Sequence, residues 1–428
     1  MSFDLIVRGG ILPDGNIADI GIKGDKIAAI EPRLAAEAGE VVDAAGNLVS
    51  PPFVDPHFHM DATLSYGIPR INASGTLLEG IALWGELKPL LTHEAVKQRA
   101  LDYCDWAVSM GLLAIRSHVD TCDDRLLAVE ALLEVRKEVA PVIDLQLVAF
   151  PQDGYYRSPT ARQNTLRALD MGVDVVGGIP HFERTMGDGT RSVTELCEIA
   201  AERGLMVDMH CDETDDPNSR HIEQLAYETQ RLGLQGRVNG SHLTSMHSMD
   251  NYYVSKLLPL IAEAGVSACP NPLINIVIQG RHDTYPKRRG MTRVPEMLKA
   301  GIRVGFGQDC VLDPWYPLGT ADMLDVAFMG LHVAQMTSPA DMRRCFDMVT
   351  QTNAKIMGLD YGLEVGKTAS LVVLDAGNPV EALRLRAERL CVVAKGKVVA
   401  TRRKQETQLS LAGRPASVNR RHRMPSQG

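Results

Sequence analysis

The 428-residue chain predicts an α/β protein: a closed barrel of eight β/α units, with a small β domain built from both ends of the chain. Three observations lead there. Eight short apolar runs alternate with amphipathic stretches, the pattern of parallel strands joined by crossover helices, and eight such units close on themselves. The two chain ends share a different texture, short strands broken by turn residues. No G-x-G-x-x-G follows the first strand, as an open dinucleotide-binding sheet would require.

At the front, FDLIVRGGIL, ADIGIKGDKIAAIEP and VVDAAGNLVSP are separated by Gly-Gly, Gly-Asp and Gly-Asn turn signals. ASLVVLDAG (369–377) and CVVAKGKVVAT (391–401) repeat that texture near the other end. The small domain is therefore expected at 1–50 plus 362–401, and the barrel at 51–361. The barrel runs are LVSPPFVDPHFH (48–59), LLAIRSHVD (112–120), IDLQLVAFPQ (143–152), DVVGGIPH (174–181), LMVDMHCDE (205–213), RVNGSHL (237–243), GVSACPNP (265–272) and IRVGFGQDC (302–310). Helix-like stretches such as DDRLLAVEALLEVRKEV and SVTELCEIAAERG lie between them. Residues 402–428, with RRK and NRRHR and little apolar material, read as a flexible basic tail.

Composition narrows the function classes. A formal net charge of -8 argues against nucleic acid as a partner. No run of 18 apolar residues is present, so no membrane-spanning helix is expected. The start, MSFDLIVRGG, lacks the regions of a signal peptide. Eight scattered cysteines without a C-x-x-C read as reduced thiols. The expected compartment is the cytoplasm.

Chemistry in such a barrel sits where the strands end. Those ends carry His57/His59, His118/Asp120, Gln152, His181, His210 with Glu213, His242, Asn271 and Asp309. In a strand, His57 and His59 point to the same side. With His210 and Asp309 they give three nitrogens and one oxygen for one divalent metal, leaving a position open for water. His242 can hydrogen-bond that water, and Glu213, just past the fifth strand, can shuttle protons. His118 and His181 are read as supporting or packing residues, with substrate contact as the alternative, and His247 as structural. Asp215 and Asp216 are read as capping or solvating the following helix. No lysine ends any of the first four strands, so a paired-metal site with a bridging carbamylated lysine is not supported.

Longer stretches carry a resemblance: PPFVDPHFHMDAT, SGTLLEGIALW, LLTHEAVKQRA, EVAPVIDLQLVAFPQDG, DVVGGIPHFE, HCDETDD, SHLTSMHS, NPLINIVIQGRHDTYPKRRGMTRVPEML and DPWYPLGTADML. They resemble the amidohydrolase superfamily, and within it the bacterial cytosine deaminases, over residues of about 40 to about 375. The resemblance implies a distorted (β/α)8 barrel with a terminal β-sandwich. It implies one iron or zinc ion on His57, His59, His210 and Asp309. Glu213 would protonate the ring nitrogen beside the attacked carbon. His242 and Asp309 would orient and deprotonate water, and Asp309 would pass the proton to leaving ammonia. Gln152 would bond the carbonyl side of the pyrimidine, the backbone near Leu77 would add contacts, and Trp315 would pack on the pocket. A homo-oligomer, commonly a hexamer, is implied as well.

One departure bears on the substrate. The resemblance predicts Gly-His-Asp-Asp in the eighth run, where this chain has Gly307, Gln308, Asp309 and Cys310. A thiol for a carboxylate makes that side of the pocket larger and less charged. The expected reaction is hydrolytic deamination of a free base, 5-methylcytosine to thymine or cytosine to uracil. The competing readings are another heterocycle (isocytosine, isoguanine, creatinine or an aminotriazine) or a catalytically silent barrel scaffold.

Overall fold

The structure, a computed structural model, describes residues 2–44, 46–405, 407–418 and 420–421. Both chain ends build one eight-stranded sheet: β1 (Phe3–Ile11), β2 (Ile17–Lys23), β3 (Lys26–Glu31), β4 (Ala38–Asp43), β5 (Leu48–Ser50), and β13 (Leu371–Leu374), β14 (Arg389–Ala394), β15 (Lys397–Thr401). The order is β15-β14-β13-β5-β1-β2-β3, with β4 on β1. The junction of the two halves is antiparallel, Val373 opposite Val49. Alternation along these strands sends Leu48, Val372, Leu374 and Val392 into the barrel's core. Their neighbours Val49, Leu371, Val373 and Val393 close a second core with Leu5, Val7, Ile20 and Ile22. That is why neither half makes the domain alone.

The barrel strands run parallel in chain order: β6 (Phe53–Phe58), β7 (Leu112–Asp120), β8 (Asp144–Phe150), β9 (Val175–Gly178), β10 (Met206–Cys211), β11 (Val238–His242) and β12 (Ser267–Cys269). All nine residues of β7 are buried, as expected of a strand covered on both faces.

The eighth run differs from expectation. It forms no continuous strand and closes the ring through single bridges, Ala268 to Val304 and Phe58 to Asp309. The reason is close packing against two glycines by residues from other parts of the chain. A Cβ at Gly305 would lie 1.8 Å from Asn353 Oδ1, and one at Gly307 would lie 2.3 Å from Asn271 Oδ1 and 2.9 Å from His57 Cβ. Asn353 uses that space to donate to the carbonyls of Val54 (2.7 Å) and Phe306 (2.8 Å), tying the first barrel strand to the last segment. Asp309 then turns into the left-handed region at φ +72°, which ends any ladder.

Beyond β15, Arg402 pairs with Glu388, Gln408 bridges to Ser417, and Arg421 reaches Asp375 and the Gly46 carbonyl. The last part of the expected tail, 422–428, lies outside the described residues. No helix among the described residues is long and apolar enough to cross a membrane.

Candidate active site

Two strand ends and the closing segment bring ligand-type atoms to one point. His57 and His59 come from the end of β6, His210 from β10, and Asp309 from the closing segment. Asp309 is locked there by backbone bonds to β6: its N–H donates to the His57 carbonyl at 2.8 Å, and the His59 N–H donates to its carbonyl at 3.1 Å. The side-chain atoms converge: His57 Nε2 and His59 Nε2 stand 3.4 and 3.3 Å from Asp309 Oδ1, and His59 Nε2 stands 2.9 Å from His210 Nε2. Four donors bonded tetrahedrally at about 2.0–2.1 Å would stand roughly 3.3 Å apart. His57 Nε2 is buried without a hydrogen-bond partner, as a ligand atom would be. The donor set therefore fits a divalent ion such as zinc or iron.

His118 also enters this cluster. It is fully buried, packs on His57 with ring centroids 4.2 Å apart, and has no hydrogen-bond partner on either nitrogen. Two groups of four have mutually close ligand atoms: His57, His210, His242 and Asp309, and His57, His59, His118 and His210.

Next to the metal-type cluster lies an acid/base pair. Glu213 Oε1 is 3.2 Å from His242 Nδ1, which is 3.8 Å from Asp309 Oδ2. Burial, reinforced by the charge of Asp309, pushes the Glu213 carboxyl well above the usual carboxylate range. Burial holds His242 well below its ordinary value despite the pull of Asp309. Asp309 itself stays well below: burial would raise it, but the surrounding imidazoles outweigh that. Burial thus favours the protonated form of Glu213 and the neutral form of His242, while the imidazoles favour the ionised form of Asp309, in three neighbouring groups. The backbone marks the same place, since His242, Leu243 and Asp212 join Asp309 at positive φ.

His59, Leu77, Gln152, His210, Glu213, His242, Asp309, Cys310 and Trp315 all line one cavity. His57 lies beneath its floor. Leu77 is the first residue of a helix capped by Thr76 (Leu77–Leu87). Gly80 of that helix makes room for Trp315: a Cβ there would lie 2.3 Å from the Trp315 ring. Arg281, from the QGRHDTYPKRRG stretch, donates to the Gly75 carbonyl at 2.8 Å and ties that loop to the same helix start.

Other placements differ from the sequence reading. His181, read as a supporting or packing residue with substrate contact as the alternative, lines the cavity. Asp215 caps no helix; it accepts the Gly280 N–H at 2.8 Å and pairs with His247 Nε2 at 3.0 Å, tethering the 280s loop. The Asp216 carboxylate accepts the nearby Asn218 N–H, and the first N–H groups of the following helix (His221–Arg231) donate instead to the Asp212 carboxylate. Gln308 faces away from the cavity, toward Tyr316, Leu318 and Phe328. Sequence reasoning missed the apolar wall of Ile81, Ile179, Phe182, Ile274 and Ile278. It also missed Phe150, stacked on the His210 ring at 4.1 Å, and Asp313. The Asp313 carboxyl is fully buried beside Cys310, accepts the Trp315 and Tyr316 N–H groups at 2.9 Å, and is pushed by burial to about 7. Only its position inside DPWYPLG signalled it.

Residues 40–400 match the profile of the amidohydrolase family. A 5-methylcytosine deaminase from Klebsiella pneumoniae, solved with phosphonocytosine, superposes with a TM-score of 0.90 at 43% identity, covering 94% of this chain and 99% of that one. N-isopropylammelide isopropyl amidohydrolase of Pseudomonas sp. (strain ADP) is 32% identical over 406 residues, 93% of this chain and 97% of its own. Pterin deaminase of Rhizobium rhizogenes (strain K84) is 28% identical over 90% of this chain and 86% of its own.

Proposed function

The chain belongs to the amidohydrolase family, hydrolases of C–N bonds, and on that footing we propose that it deaminates a free aminopyrimidine base, 5-methylcytosine first and cytosine second. The observation that carries this reading is the buried Glu213 carboxyl, pushed well above the usual carboxylate range, facing His242 and Asp309 in a cavity with apolar walls. Carbon 4 of an aminopyrimidine is a poor electrophile until the adjacent ring nitrogen is protonated, and Glu213 is a buried acid whose carboxyl is pushed upward by burial. One iron or zinc ion on His57, His59, His210 and Asp309 would supply Lewis acidity and lower the pKa of water. His242, neutral, accepts a hydrogen bond from the attacking water and holds it over the ring. As the C4–O bond forms, Glu213 gives its proton to N3. Asp309 takes one of the water's two protons and hands it to the amino nitrogen; the C4–N bond breaks to release ammonia, and the remaining hydroxyl proton returns to Glu213, leaving the C4 carbonyl. Gln152 fixes the carbonyl edge, and Trp315 and Leu77 wall the ring.

Cys310 supports the 5-methyl preference. It is 3% exposed, lines the cavity, and its Sγ lies 3.7 Å from Asp309 Oδ1, so a thiol rather than a charge stands next to the reacting side. The relative named for 5-methylcytosine supports the same choice. A second reading, removal of an amine from an aminotriazine, is favoured by the 32% identity to the isopropylammelide enzyme. The test is kcat/KM for 5-methylcytosine, cytosine, an N-alkylated aminotriazine and a pterin on purified protein with its metal measured. The proposal requires a pyrimidine to lead and about one equivalent of iron or zinc per chain. A triazine or pterin in the lead would replace it.

A further inference from the structure

Below the cavity floor, a polar chain crosses the barrel from wall to wall. Arg116 of β7 and Asp208 of β10 are both fully buried, and Arg116 Nη1 donates to Asp208 Oδ2 at 2.8 Å. Ser241 of β11, equally buried, lies 2.8 Å from Asp208 Oδ1 and 2.9 Å from His57 Nδ1. Asn239 Nδ2 adds donors to Asp208 (3.1 Å) and to Ser241 Oγ (3.0 Å). A buried guanidinium stays charged and requires a counter-charge, so Asp208 is the carboxylate of an ion pair.

The direction of each hydrogen bond follows. A carboxylate only accepts, so the single Ser241 hydroxyl hydrogen goes to Asp208. Any other placement leaves two oxygen lone pairs facing each other at 2.8 Å. Ser241 Oγ can then only accept from His57, whose Nδ1 must carry the hydrogen. The other ring nitrogen, Nε2, is left with a bare lone pair. It is the same nitrogen that is buried without a partner and stands 3.4 Å from Asp309 Oδ1. Four strands thus cooperate to fix one tautomer. The space is built for it, since a Cβ at Gly307 would strike His57 Cβ at 2.9 Å.

We propose that Ser241, oriented by Asp208 and Arg116, is the positioning residue that holds the His57 ring in the tautomer presenting Nε2 to the metal. The inference rests on the metal site proposed above and concerns how that site is prepared before an ion arrives. Losing the partner of a ligating histidine weakens metal binding by about 10–100-fold.

The experiment is competition for zinc between a chromophoric chelator and the full-length protein, as wild type, Ser241→Ala and Ser241→Cys. The thermal midpoint of each metal-free protein is measured alongside. Ser241→Ala is expected to bind zinc about 10–100-fold more weakly. Ser241→Cys, which keeps a similar size but accepts hydrogen bonds poorly, is expected to move the same way. The metal-free midpoints should stay within about 3 °C of wild type, because Asp208 keeps Arg116 and Asn239. Zinc affinity within twofold of wild type in both variants would overturn the proposal. So would weakened binding that merely tracks a lowered metal-free midpoint. If Ser241→Ala does not fold, Ser241→Cys decides on the same criteria. A wild-type protein that binds no zinc or iron would sink the metal-site reading itself, whereas wild-type binding with unchanged variants sinks only the role of Ser241.

Discussion

Replacing Cys310 with aspartate tests the substrate assignment most directly. The thiol is buried, and burial and the adjacent acids Asp309 and Asp313 push it well above its ordinary value, so it is neutral in the working enzyme. An aspartate there would bring a second carboxylate to about the separation now seen between Cys310 Sγ and Asp309 Oδ1, 3.7 Å. At an effective dielectric of about 20, two charges at that distance repel by roughly 4 kcal/mol. The variant is therefore expected to lose some stability and some turnover on every substrate. The informative quantity is the ratio of kcat/KM for 5-methylcytosine over cytosine, in which losses of fold, metal and general activity cancel. Accommodating one methyl group in an apolar site is worth about 1–3 kcal/mol, or roughly 10–200-fold. The ratio should fall by at least tenfold in Cys310→Asp, measured by ultraviolet absorbance on metal-loaded protein. A ratio unchanged within twofold, with both substrates falling together, would refute the argument that the thiol makes room for the methyl group.

Three further predictions follow from the geometry. Glu213→Gln removes the proton donor while leaving the donor set intact, so kcat should drop by about 10²–10⁴ with the metal content of wild type; a drop below tenfold would show that another group protonates the ring. Asp313 holds a proton in the fold up to about pH 7 that the unfolded chain releases near pH 4, so its contribution favours folding below about pH 4 and is lost as pH rises through 7, up to roughly 4 kcal/mol. In Asp313→Asn, whose amide oxygen can still accept the Trp315 and Tyr316 N–H groups, denaturant titrations should show a stability gain over wild type that grows from pH 5 to 7; a flat difference would place the carboxyl's pKa elsewhere. Gly305→Ala puts a methyl carbon on the Asn353 amide that ties the barrel shut, and should lower stability by about 1–3 kcal/mol, read from chemical denaturation; an unchanged midpoint would show that closure does not depend on that contact.

Much of the molecule was legible from local chemistry. The switch from turn-broken strands to alternating apolar runs and amphipathic helices marked both domains, because a sheet covered on both faces reads as continuous apolar sequence. Seven of the eight expected runs became barrel strands. The eighth did not, and its glycines show why: Gly305 and Gly307 serve contacts with Asn353, Asn271 and His57, which are distant in sequence. Asp215 was misread for a similar reason, since a residue before a helix suggests a cap, but its partners Gly280 and His247 lie on other loops.

By itself, the sequence determined which chemical types stand at the strand ends: His57, His59, His210, Glu213, His242 and Asp309. A strand's direction and two-residue period place its last side chains without knowledge of its neighbours. The tertiary structure alone decided what those groups become. Only the closed barrel brings His57, His59, His210 and Asp309 together and buries Glu213 so that its carboxyl is pushed well above the usual range. Only there does Ser241, with a buried ion pair behind it, meet the far nitrogen of His57. Distances and desolvation are properties of the whole packed barrel, and no single stretch of chain encodes them.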